Sequence, residues 1–186
     1  MALPAGQLTV ELVPHCTSVA RDGWIGSHDV RPLAELGTRQ AAALVAAIGT
    51  DVDGIYSSPA ARCRQTVGPL AAAAGLPVLD LAELYEAGEF GEPAAGTRGV
   101  PDLMVHALGG AWAAGRMLHA VAVMMDAHLG GRTVAASHGD VIPVLLATLS
   151  SAFGISLPVH VGRGGWYTLR FAPGELAIAP HDPVPV

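Results

Sequence analysis

The sequence predicts an α/β fold, a three-layer sandwich with a mostly parallel central sheet flanked by helices. Three observations predict it. Short apolar runs of strand length alternate with longer segments of helical spacing. The chain has 186 residues, the usual size of one domain, so residues 1–186 are read as one unit with a sizeable core. Hydrophobic residues make up 51 % and charged residues 14 %, with a mean hydropathy of +0.43, a balance that excludes disorder.

Taken in order, Thr9 to Val13 reads as a strand that ends at Pro14-His15-Cys16. A polar loop runs to Pro32, and Leu36, Ala43, Leu44, Ala47 and Ile48 then repeat at helical spacing from Ala34 onward. Gly54 to Ser57 is a second strand. Ser58-Pro59 supplies a cap residue and a proline suited to the first helical position. That helix runs to Ala74, where Gly75 and Pro77 end it. Val78 to Leu81 is a short strand, and a Gly/Glu-rich loop leads to Pro101. One or two helices fill Asp102 to Leu129, with a break expected at Gly109-Gly110. Thr133 to Ser137 is a strand, His138-Gly139-Asp140 a turn and Val141 to Leu149 a helix. A β-hairpin from Val159 to Ile178 turns at Pro173-Gly174.

Composition narrows the function classes. A formal net charge of −6 argues against general nucleic-acid or anionic-membrane binding, though not against a local arginine pocket. Val141 to Val159 carries no charge but includes two prolines and a glycine, and is short for a membrane span. No secretory signal is read at the N-terminus. Cys16 and Cys63 offer neither zinc spacing nor a disulfide framework, so a cytoplasmic protein with reduced thiols is expected. All ten basic residues are arginine, which is read as coding bias rather than function.

Position singles out two histidines. His15 and His138 each follow a predicted strand, and in open α/β sheets ligands bind beyond the carboxyl ends of strands. Arg62 falls in the first turn of the helix after a third strand, where free N–H groups and the helix dipole already favour anions. A planar guanidinium there suits phosphate oxygens. Any one of these residues alone is more often a solvated or hydrogen-bonded group; their combination describes a phosphate site. The other six histidines are read as such bystanders, with His28 and His160 the two most apt to differ.

These segments resemble the histidine phosphatase (phosphoglycerate mutase-like) superfamily over roughly residues 8–150. The resemblance is carried by Arg31-Pro32-Leu33, Gly37 and Gln40-Ala41, by Ser58 through Arg62-Cys63-Arg64-Gln65-Thr66, and by Ser137-His138-Gly139. Within the superfamily, the Arg21-Asp22-Gly23-Trp24 spacing is similar to phosphatase domains fused to Nudix hydrolases in actinobacteria. The resemblance implies a phosphomonoester hydrolase acting through a phosphohistidine on His15, without metal or other cofactor. It implies that Arg62 and His138 bind the phosphoryl oxygens, that Arg21 could reach them, and that Glu86, ahead of Glu83 and Glu89, donates the proton to the leaving group. The implied partner is a small phosphorylated or anionic substrate, with neither nucleic acid nor membrane; the oligomeric state is left open, a homodimer included.

One departure is serious. The family places an arginine before the nucleophile, and here that position is Pro14. Losing a charge-assisted hydrogen bond is worth roughly 1.5–3 kcal/mol, so weakened turnover is expected unless another cation such as Arg21 compensates. A protein that binds a phosphorylated ligand without turning it over is the alternative. Two others carry less weight. A cysteine phosphatase would use Cys16, but only four residues separate Cys16 from Arg21, one fewer than that phosphate cradle needs. A metallohydrolase would use His15, His138 and Asp140, without any paired His spacing in support. Specificity is expected from Arg21–Val30 and Gly88–Val100, whose composition favours no leaving group.

Overall fold

The computed structural model describes residues 7–86 and 102–186, with side chains from residue 107 in the second segment. Six strands, β1 (Leu8–Pro14), β2 (Gly54–Ser57), β3 (Val78–Asp80), β4 (Arg132–Ser137), β5 (Trp166–Ala172) and β6 (Glu175–His181), form one sheet. Its order is β3-β2-β4-β1-β5-β6; the first four strands are parallel, and β5 and β6 are antiparallel to their neighbours.

Four α-helices flank the sheet among the described residues: α1 (Glu35–Ile48), α2 (Ala61–Ala74), α3 (Asp102–Ala127) and α4 (Ile142–Phe153). Side-chain alternation along β1 separates two cores. Leu8, Val10 and Leu12 pack with Met117, Val121 and Met124 of α3 and Leu145 and Leu149 of α4. Val13, with Ile55 of β2 and Val134 of β4, packs instead with Leu44 and Ile48 of α1 and Val67 and Leu70 of α2. Each fully buried aliphatic contributes roughly 1.5–3 kcal/mol. Two cores on opposite faces make the sandwich three layers.

Three elements depart from the sequence reading. Ser58 does not cap α2; its Oγ lies 2.7 Å from His138 Nε2, and the helix begins at Ala61 without a side-chain cap. Asp102–Ala127 is one unbroken helix through Gly109-Gly110, because packing against α4 outweighs the roughly 1 kcal/mol propensity cost of each glycine. The hairpin begins at Trp166 rather than Val159, so 155–165 is a loop beside the carboxyl end of β1. No helix among the described residues is long and apolar enough to cross a membrane.

Candidate active site

Register builds the site. β1 and β4 are adjacent and parallel with Pro14 opposite Ser137, so the next residues, His15 and His138, emerge side by side. Their rings meet edge to face with centroids 5.5 Å apart. The His15 amide donates to Ser137 O at 2.8 Å, which ties the two turns together.

His15 is buried, and its Nδ1–H donates to Cys16 O at 2.8 Å. That bond leaves Nε2 with the free lone pair. Burial above all, then the Arg163 guanidinium, lowers the His15 pKa to about 3, so the ring is neutral at physiological pH. His138 is buried as well. Its Nδ1 lies 3.2 Å from Arg62 Nη2, and since arginine only donates, Nδ1 accepts; Nε2–H is then left to donate to Ser58 Oγ. Burial, then Arg62, lowers the His138 pKa to about 2.

Arg62 is fully buried on the first turn of α2. Nη1 donates to His28 O at 2.6 Å, and Nη2 pairs with Glu86 Oε2 at 2.9 Å. The Glu86 carboxylate also comes within 3.7 Å of His138 Nδ1. His15, Arg62, His138 and Glu86 thus lie together in the fold. Glu83 faces His119 on a different surface, and Glu89 lies outside the described residues, as does Gly88–Val100.

A cavity of about 560 Å³ opens over this cluster, lined among others by Pro14, His15, Arg21, Arg31, Glu86 and His138. Three residues to which the sequence reading gave no part in the site belong to it or support it. Buried Arg31 donates through Nη1 to Ser18 Oγ (2.6 Å) and Val19 O (2.5 Å). Arg163, from the loop before β5, donates through Nη1 to His15 O at 2.8 Å and lines the cavity. Ser58 orients His138. Arg31 and Ser58 already stand in the motif quoted above and were legible there; Arg163 carries no local signal. His160 also lines the cavity, whereas His28 contributes its carbonyl oxygen.

The remaining motif residues fix the loops. Thr66 Oγ1 accepts the Cys16 amide at 2.9 Å, Gln65 Oε1 the Leu33 amide at 2.8 Å, and Gln40 Oε1 the Thr17 amide at 2.9 Å. Gly37 is required because a Cβ there would lie 1.9 Å from Thr17 O. Buried Nε donors of Arg31 and Arg62 have no partner among the described residues, an arrangement suited to an anion. Arginines around His15 and His138 oppose a metal cation, and both His138 nitrogens are already engaged. Among the described residues no three His, Cys, Asp or Glu side chains group as metal ligands. Cys16 is buried, and burial pushes its thiol up to about 11, which leaves it unsuited to thiolate chemistry.

Residues 12–97, the span that includes His15, Arg62 and Glu86, match the profile of the histidine phosphatase superfamily (branch 1). YhfR of Bacillus stearothermophilus is 18 % identical and superposes with a TM-score of 0.69, over 96 % of this chain and 98 % of that one. The fold is that of the histidine phosphatases. The mycobacterial glucosyl-3-phosphoglycerate phosphatase Rv2419c is 19 % identical, with a TM-score of 0.66 over 96 % and 99 % of the two chains. Phosphoglycerate mutase from Bacillus anthracis is 16 % identical, with a TM-score of 0.67 over 95 % and 93 %. These solved structures share the fold with the chain along nearly its full length. No curated protein sequence matches it.

Proposed function

We propose that this chain is a phosphomonoester hydrolase that works through a phosphohistidine on His15. One observation carries the reading: a neutral His15 whose Nδ1–H is held by Cys16 O, so that Nε2 is the nucleophilic nitrogen, at the floor of a cavity rich in arginine. The Nε2 lone pair attacks phosphorus as the ester P–O bond breaks. Glu86, entering as the carboxylic acid, gives its proton to the departing oxygen. Water then attacks phosphorus, the P–N bond breaks, and Glu86 takes the water proton, which restores both groups. Arg62, with Arg21 and Arg31 near the cavity, stabilises the charge on the transferring group.

His138 is ready for a narrower part than the resemblance implies. In the resting arrangement its Nδ1 accepts from Arg62 and its Nε2–H faces Ser58. It orients Arg62, and it donates to a phosphoryl oxygen only after taking a proton at Nδ1, which an incoming dianion favours.

The similarity of Arg21-x-x-Trp24 to Nudix-fused phosphatase domains, a cytoplasmic location and a small phosphorylated substrate belong to the same reading. A binding protein without turnover is the second reading, favoured by Pro14 at the position of the family's arginine. The experiment is a screen of phosphomonoesters with His15→Ala as control, followed by mass analysis of the His15 peptide after alkaline quench. Phosphate release abolished in His15→Ala, with one phosphoryl group on the peptide, is expected. Ligand-induced stabilisation without phosphate release would establish binding alone.

A further inference from the structure

We propose that Arg163 replaces the guanidinium missing at position 14 and binds the phosphoryl group beside His15. The inference rests on the phosphatase reading, in that His15 is taken as the nucleophile. Proline has neither side-chain donor nor charge, and Pro14 lines the cavity at the end of β1. Arg163 reaches the same place from the opposite direction, out of the loop between α4 and β5. Its Nη1 donates to His15 O at 2.8 Å, and its Nη2 lies 3.5 Å from where a Cβ on Gly139 would be. The guanidinium therefore spans the ends of β1 and β4, the two strands that deliver His15 and His138.

The loop is built to keep it there. Gln40 Nε2 donates to Arg163 O at 2.8 Å, while Gln40 Oε1 accepts from Thr17 N on the loop after the nucleophile. One side chain thus straps both loops. The next residue, Gly164, has φ +90°, a left-handed conformation that side chains disfavour, and Gln40 packs within 3.1 Å of its Cβ position.

Neither other cation fits the vacancy as well. Arg31 commits Nη1 to Ser18 and Val19, and Arg21, exposed like Arg163, has no hydrogen bond to the ends of β1 or β4 among the described residues, whereas Arg163 has one. Of the charges acting on His15, Arg163 exerts the largest effect, ahead of Arg62 and Arg31, and Arg21 is not among them. One Arg163 N–H is bonded to the His15 carbonyl, and the residue lines the cavity, with four further N–H groups in its five-donor fork. Asp140, on the same wall, balances part of this charge. The nucleophile's backbone and the phosphoryl oxygens are then held by one rigid group.

The test compares wild type, Arg163→Gln, Arg163→Lys and the double variant Pro14→Arg/Arg163→Gln, each checked for thermal stability. Vanadate affinity and kcat/KM on p-nitrophenyl phosphate are the readouts. Arg163→Gln should lose about ten-fold or more in both. Lysine should recover part of the loss, and the arginine placed at position 14 should recover most of it. Vanadate affinity within about two-fold of wild type in Arg163→Gln would overturn the proposal. A stable double variant that recovers nothing would overturn the claim of replacement. If wild type releases no phosphate from any ester, the hydrolase reading fails, and vanadate binding still decides the part of Arg163.

Discussion

The Glu86 carboxylate is paired with the fully buried Arg62 guanidinium, Oε2 to Nη2 at 2.9 Å. Arg62 itself does not line the cavity, whereas Glu86 does. On the proposed mechanism, substrate therefore displaces Glu86 from Arg62. The freed carboxyl is then available to the leaving group.

Glu86→Gln separates these two effects. The amide competes less for Arg62, so vanadate should bind at least as tightly as to wild type. Turnover should fall, far more for alkyl phosphates than for activated aryl phosphates, whose leaving groups need little protonation. Vanadate titration beside kcat for the two substrate classes checks this. Equal losses of turnover on both would remove Glu86 from the acid role.

Gln40 ties two loops together through one buried side chain: it accepts from Thr17 N and donates to Arg163 O. Gln40→Ala should cost about 1–3 kcal/mol of stability, since buried backbone groups lose their partners. The phosphatase rate should fall at the same time. Gln40→Glu restores the acceptor for Thr17 but not the donor for Arg163. Its rate should stay low even where its melting temperature recovers, and denaturant unfolding beside kinetics distinguishes the two.

Iodoacetamide should leave activity intact at neutral pH. Cys16 and Cys63 are fully buried, and burial pushes their thiols up to about 11 and about 12. Cys16 serves through its backbone instead, its N–H on Thr66 and its carbonyl on His15. Rapid inactivation with label on Cys16 would return a cysteine nucleophile to consideration.

What the sequence made legible follows local rules. Alternating runs marked β1, β2 and β4, and residues just past strand ends marked His15 and His138, because backbone direction alone decides where such residues emerge. Ser58 misled because a serine before proline is a good cap by composition, while its hydroxyl is engaged 80 residues away in sequence by His138. Arg163 was hidden for the same reason on a larger scale. Its place depends on Gln40, 123 residues earlier, and on where a coil crosses the end of β1. Neither leaves any periodicity in the residues around it.

The two buried histidines also set a pH dependence of stability. In the unfolded chain each titrates near 6.5; in the fold, burial and neighbouring arginines lower His15 to about 3 and His138 to about 2. Below 6.5 the unfolded state therefore binds more protons than the native state, so stability falls as pH falls, and the loss continues toward the native values. Each histidine contributes at most about 1.4 kcal/mol per pH unit in that window. Going from about pH 7.5 to about pH 5.5, the pair should then cost up to roughly 3 kcal/mol. Above 6.5 both rings are neutral in either state, and this source of pH dependence vanishes. Urea unfolding across this range measures the slope. His15→Gln removes one titrating group, so its slope between about pH 6.5 and about pH 5 should lie below that of wild type by up to about 1.4 kcal/mol per pH unit. Other groups titrate on both chains alike and cancel in the comparison. An unchanged slope in His15→Gln would mean that His15 takes up its proton in the native state as readily as in the unfolded chain. Burial and the neighbouring arginines would then not hold the ring neutral, and the observation that carries the nucleophile assignment would fall.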